Sequence, residues 1–166
     1  MKTIFQTGGP VFVILMASAL PANAALDCPQ GHAVYQDRSG KFELLFQPKT
    51  MDKNYNTIEL VGLASGARFD GSVQWNMGFA VPNVQIDYPC GSGTDARQCH
   101  YQSVVYTLTV NNGQPVAAAM LPPDNDPAAD TILLPDLSRH WHYNVRALAK
   151  EAIPDEVFRL TRCRQP

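Results

Sequence analysis

A basic excess is the first thing this 166-residue sequence lacks: Lys+Arg number 13 against Asp+Glu 15, for a formal net charge of −2. Nothing in that balance would neutralise a phosphate backbone, so nucleic-acid binding is not expected as the main role. Long apolar runs are missing too. The longest, Val11–Leu20, falls well short of the roughly 20 residues that a membrane-spanning helix requires, and charges or prolines interrupt every later one. The 13 prolines and 11 glycines argue against a coiled coil or helical bundle. Catalytic signatures are also wanting, with no G-x-S-x-G, no H-E-x-x-H and no carboxylate pair that spacing alone would place in one cleft. The sequence therefore argues against an enzyme and implies no cofactor. Its length suits one packed domain rather than two.

What is present begins with a leader. Lys2 supplies a positive start, Val11–Leu20 an apolar centre, and Pro21-Ala22-Asn23-Ala24 small residues where a signal peptidase cuts. Residues 1–24 are expected to be a cleaved signal peptide, leaving 25–166 as a single β-rich domain. Removal takes away one lysine and no acid, so the mature chain stays mildly acidic. Cys28 follows Asp27, where lipid attachment would want a small neutral residue, so no lipid anchor is expected. The expected location is periplasmic or secreted.

All four cysteines, Cys28, Cys90, Cys99 and Cys163, lie in the exported part, and an even number in an oxidising compartment reads as two disulfides. Of three possible pairings we favour Cys90–Cys99, across the turn-forming Gly91-Ser92-Gly93-Thr94-Asp95, with Cys28–Cys163 joining the ends of the mature chain. A four-cysteine zinc site competes, but no C-x2-C or C-x4-C spacing supports it.

From Ala33 onward, short runs rich in Val, Ile, Tyr, Phe and Thr alternate with turn residues, the pattern of an all-β, mainly antiparallel domain built as a small barrel or sandwich. Strands are expected over Ala33–Gln36, Phe42–Phe46, Thr57–Gly62, Ser72–Met77, Asn83–Tyr88, Val104–Val110, Val116–Leu121, Thr131–Leu134 and Val157–Thr161. Asn111-Asn112-Gly113-Gln114 suits a hairpin turn. The stretch near 89–100 reads as a loop. Asp136–Ala152 is ambiguous: Ser138 suits a helix cap, while Tyr143, Val145 and Ala147 alternate as a strand would, and strand is preferred for its first half.

Several residue groups bear on chemistry. His140 and His142 would share a face if extended, as two metal ligands lacking a third. Asp124, Asp126 and Asp130 are acidic as a calcium loop is, but without its glycine or closing glutamate, and read as a solvated loop. Arg159, Arg162 and Arg164 read as the solvated face of the last strand. Trp75, Trp141 and Tyr143, if exposed beside a groove, would suit a glycan or envelope-protein contact.

Ala64-Ser65-Gly66-Ala67-Arg68-Phe69-Asp70-Gly71, followed by Val73, Trp75, Gly78 and Ala80, resembles the core signature of the bacterial C-type lysozyme inhibitors, membrane-bound and periplasmic. With Tyr35 and the Phe42/Leu44/Phe46 alternation upstream, the resemblance spans about Tyr35 to Ile86, little more than a third of the chain. It implies a small exported antiparallel β-barrel whose partner is a lysozyme-type muramidase. In that family the serine of Ser-Gly-Ala and a lysine of a Lys-Gly pair engage the catalytic carboxylates of the lysozyme. Ser65 matches the first, and Met77 stands at the second, where it cannot donate to a carboxylate. Arg68 is the nearest cationic substitute. The candidate binding residues are thus Ser65, Gly66, Ala67, Arg68 and Met77. Two other departures stand out: Gln36 and Asp37 follow Tyr35 where the family carries a cysteine, and the chain beyond Cys90 has no counterpart. A structural, glycan-binding or protein-binding module of the envelope is the alternative.

Overall fold

A computed structural model of the chain describes residues 27–49, 56–74, 81–90, 97–111, 114–118, 121–145 and 151–165. The leader at 1–24, Trp75, Met77, Gly78 and Ala80 lie outside the described residues, as does the centre of the Asn111–Gln114 turn.

Period-two alternation sets the local structure. In β2 (Phe42–Gln47) Phe42, Leu44 and Phe46 are buried, and in β5 (Asn83–Cys90) the same holds for Val84, Ile86 and Tyr88. The other strands are β1 (Ala33–Asp37), β3 (Asn56–Gly62), β4 (Arg68–Gln74), β6 (Arg97–Val104), β7 (Tyr106–Asn111), β8 (Gln114–Ala118), β9 (Thr131–Leu133) and β10 (Val157–Cys163). They form one sheet in the order β6-β5-β4-β3-β2-β1-β10-β9-β7-β8, every described pair antiparallel. The sheet curls into a half-barrel. It stays open, since no described strand joins β6 to β8. The first and last strands meet at its centre: β1 lies between β2 and β10, and the Cys28–Cys163 disulfide ties the two chain ends there. The second disulfide is Cys90–Cys99, across neighbouring β5 and β6. Both are the favoured pairings.

Three elements differ from the sequence expectation. Leu137–His140 is a short helix, α1, continued by a π-helical turn over Trp141–Val145, not a strand. Its buried residues are Leu137, Trp141 and Val145, spaced by four, so one helical face enters the core while Tyr143 points to water. Asp136, in the left-handed region at φ 62, precedes the helix, and Ser138 lies inside it with its hydroxyl donating to Glu156. Part of the stretch read as a loop is β6, which pairs with β5 along its whole length, and the next strand begins at Tyr106 rather than Val104. β4 starts at Arg68 rather than Ser72, so Gly71 is a mid-strand residue. A Cβ there would run into the carbonyl oxygen of Gln85 on β5.

The helical turn closes one end of the half-barrel. Trp141, with 0% exposure, meets Phe69 edge-on at 4.7 Å and Phe42 at 5.7 Å, near the starts of β4 and β2. Among the described residues no helix is long and apolar enough to cross a membrane.

Candidate functional site

Two regions have functional geometry. The first is the tip of the β3–β4 hairpin. The Gly62 amide donates to the Ala67 carbonyl at 2.9 Å, and the Gly66 amide donates to the Gly62 carbonyl at 2.8 Å, which closes a short loop over Leu63–Ala67. Gly66 sits at φ +73, where a Cβ would be strained, so glycine is what lets the chain turn back. Ser65 is exposed, and its Oγ accepts from the Ala67 amide at 3.0 Å and donates to the Gly62 carbonyl at a long 3.5 Å, so two contacts within the turn orient the hydroxyl. Ser65, Gly66, Ala67 and Arg68 thus all lie on this tip or at the first residue of β4.

Charge around the tip is arranged less simply. Arg68 reaches across the hairpin to Glu59, with Nη1–Oε2 at 2.6 Å; this hydrogen bond and the attraction of the carboxylate raise its pKa further. Its charge is thus paired along the sheet. The backbone of Lys41, in the β1–β2 turn, lies beside the tip, because the Leu63 amide donates to its carbonyl at 2.8 Å. Among the described residues Lys41 makes no ion pair. Sequence reasoning missed this neighbour, since only the pairing of β2 with β3 brings the two turns together. Behind the tip the buried Glu151 carboxylate abuts Gly62: a Cβ at 62 would meet its Oε2 at 2.6 Å and the Ser65 Oγ at 3.0 Å.

The second region is a polar cleft of about 330 Å³ between β6 and the helical turn. His140 stands at its base, its Nε2 2.9 Å from the Tyr88 hydroxyl, with the rings of Tyr88 and Tyr101 edge-on at 5.5 and 5.4 Å. Burial, then the neighbouring His100, pushes the His140 pKa down. Burial likewise pushes the Tyr101 hydroxyl up to about 12, and it donates to the Pro135 carbonyl at 2.6 Å. His140 is thus a tyrosine-held ring whose surroundings favour the neutral form, with no carboxylate among its described hydrogen-bond partners.

Other expectations resolve as follows. Trp141 is core and not an exposed aromatic; Tyr143, 75% exposed at the cleft, is exposed as expected. His140 and His142 do not share a strand face, because the stretch is helical, and among the described residues no group of three or more His, Cys, Asp or Glu side chains is placed to hold a metal. The Asp124 carboxylate accepts from the Lys49 amide at 2.6 Å and from Asn56 Nδ2 at 2.5 Å, fastening its loop to the sheet rather than standing solvated. Of the arginines, Arg159 is exposed, Arg162 pairs with Glu43 at 2.5 Å, and Arg164 is half-buried and donates to the Phe46 carbonyl.

No protein-family model, curated protein or solved structure matches the chain.

Proposed function

We propose that this is an exported, non-catalytic binding protein, periplasmic or secreted, whose β3–β4 tip enters the cleft of a lysozyme-type muramidase. The observation that carries the reading is the exposed Ser65 hydroxyl, held on a hydrogen-bonded turn at the end of a paired hairpin. A glycosidase needs one protonated and one ionised carboxyl group, and a hydroxyl donated into that pair blocks the cleft and disturbs the division of roles. A turn fixed in advance loses little freedom on docking. Charge-assisted donation from the second position of the family motif is not available to Met77. With Arg68 bound to Glu59, the cation that supports the contact is Lys41, whose main chain abuts the tip. The two disulfides fit the oxidising compartment that the leader sequence implies.

The test is a turbidity assay in which the purified mature protein is titrated into a C-type lysozyme. Inhibition at micromolar protein is expected, relieved by Ser65→Trp and weakened at least about tenfold by Lys41→Glu, each worth more than about 1.4 kcal/mol. Undiminished lysis at high micromolar protein, or inhibition untouched by both substitutions, rejects the reading.

A further inference from the structure

The polar cleft has a wall that is unusual for a small-molecule pocket. Tyr101, Gln102 and Ser103, three consecutive residues of β6, all line it. Successive side chains on a strand point to opposite faces, so three in a row can border one cleft only along the strand's edge, where backbone groups are exposed. β6 is the terminal strand of the sheet, and no described strand pairs with its outer side. Every second residue of such a strand aims its N–H and C=O away from its one partner. The edge is eight residues long and contains neither proline nor lysine, the usual devices that stop an edge from recruiting another strand. The Cys90–Cys99 disulfide fastens it to β5, so it is ordered before anything binds. Opposite stand Asp136 and Arg139, which pair with each other at 3.3 Å, with Tyr143 and Asn144 of the helical turn, so that an ion pair, an amide and an exposed ring face side chains lying in the groove.

We infer that this groove binds an extended polypeptide segment of a partner protein, which adds to β6 as an eleventh, edge strand. The backbone of the segment hydrogen-bonds to β6, and its alternate side chains face Arg139 and Asp136 or lie against Tyr143. A volume of about 330 Å³, at the low end of ligand-sized clefts, suits a few extended residues of polar character rather than a large apolar anchor. The site is separate from the Ser65 tip, and its occupant need not be a muramidase.

The probe is a phage-displayed library of random twelve-residue peptides selected on the intact mature protein, with the best binder synthesised and measured by calorimetry. Binding is expected to fall at least about tenfold with Asn144→Trp, which fills the groove from the helical side, while the thermal melt of that variant matches the parent. N-methylation of the bound peptide's amides one at a time is expected to abolish binding at alternate positions only, the signature of strand addition. Ser65→Trp is expected to leave peptide binding unchanged, which keeps this inference distinct from the muramidase reading. A selection yielding no peptide sensitive to Asn144→Trp overturns the inference. So does tolerance of N-methylation at every position, an oligosaccharide of N-acetylglucosamine displacing nothing but itself binding the groove, or a dimer in sedimentation that Asn144→Trp dissolves.

Discussion

At Asp37 four donors converge on one carboxylate: the Ser39 hydroxyl at 2.5 Å and the amides of Lys41, Phe42 and Asp155 at 2.8, 3.0 and 3.1 Å. Burial raises the pKa of this group, but the four hydrogen bonds together outweigh burial and hold it below the usual carboxylate range. The side chain fixes the β1–β2 turn, and with it Lys41, to the segment that leads into β10. Asp37→Ala is expected to cost about 2–4 kcal/mol in urea unfolding at neutral pH, because it orphans the buried Phe42 amide and the part-buried amides of Lys41 and Asp155. The folded pKa is depressed, so the contribution is present above the unfolded value and disappears as pH falls through the folded one. The parent should therefore lose stability on acidification in that window, and the variant should have none of this part left to lose. His140 has the opposite charge chemistry but the same sign. Its neutral form is favoured, the unfolded chain takes up a proton first, and stability drops as pH falls below the ordinary imidazole value of about 6.5. An NMR titration of its ring should show a midpoint below that value, and a midpoint above it would contradict the half-buried placement against Tyr88.

Between residue and molecule, the strands impose demands that single side chains do not. Gly71 lies where β4 meets β5 and β3 so closely that a Cβ would strike the Gln85 carbonyl and Ile58. Gly71→Ala is expected to destabilise by about 1–3 kcal/mol in chemical denaturation, since the obstacle is backbone and cannot swing away. Strands such as β2 and β5 were legible in the sequence, because alternate apolar residues have one buried face to serve. β6 was not, since Tyr101 is its only large buried apolar side chain, and edge strands need little burial to form. The helical turn escaped for a different reason. Tyr143 and Val145 satisfy a period of two by coincidence, whereas the spacing that decides is Leu137, Trp141 and Val145, visible only once Trp141 is known to fill the space between Phe42 and Phe69. Of the candidate site, Ser65 and Gly66 were readable as a turn motif. Lys41 was not, because its nearness depends on which hairpins lie side by side.

For the molecule as a whole, the order of the sheet means that its two halves are held together by β1 and β10, and the Cys28–Cys163 bridge spans 135 residues to secure that seam. Chain-entropy reasoning makes this bridge worth about 5 kcal/mol and the nine-residue Cys90–Cys99 bridge about 3 kcal/mol, both upper values. The Cys28→Ser/Cys163→Ser double variant should therefore melt well below the Cys90→Ser/Cys99→Ser one; the reverse order would mean that the seam is held by packing of Tyr35, Phe158 and their neighbours alone. The same architecture puts the Ser65 tip at the β3–β4 turn and the groove along β6, two strands from β4, so that one protein presents two separate surfaces, each carried by paired strands. The most direct test of the muramidase reading is an amide NMR titration of the mature protein with unlabelled C-type lysozyme. Perturbations gathered at Leu63–Arg68 and Lys41 are predicted; shifts confined to β6 and the helical turn, or no shifts at all, would contradict it.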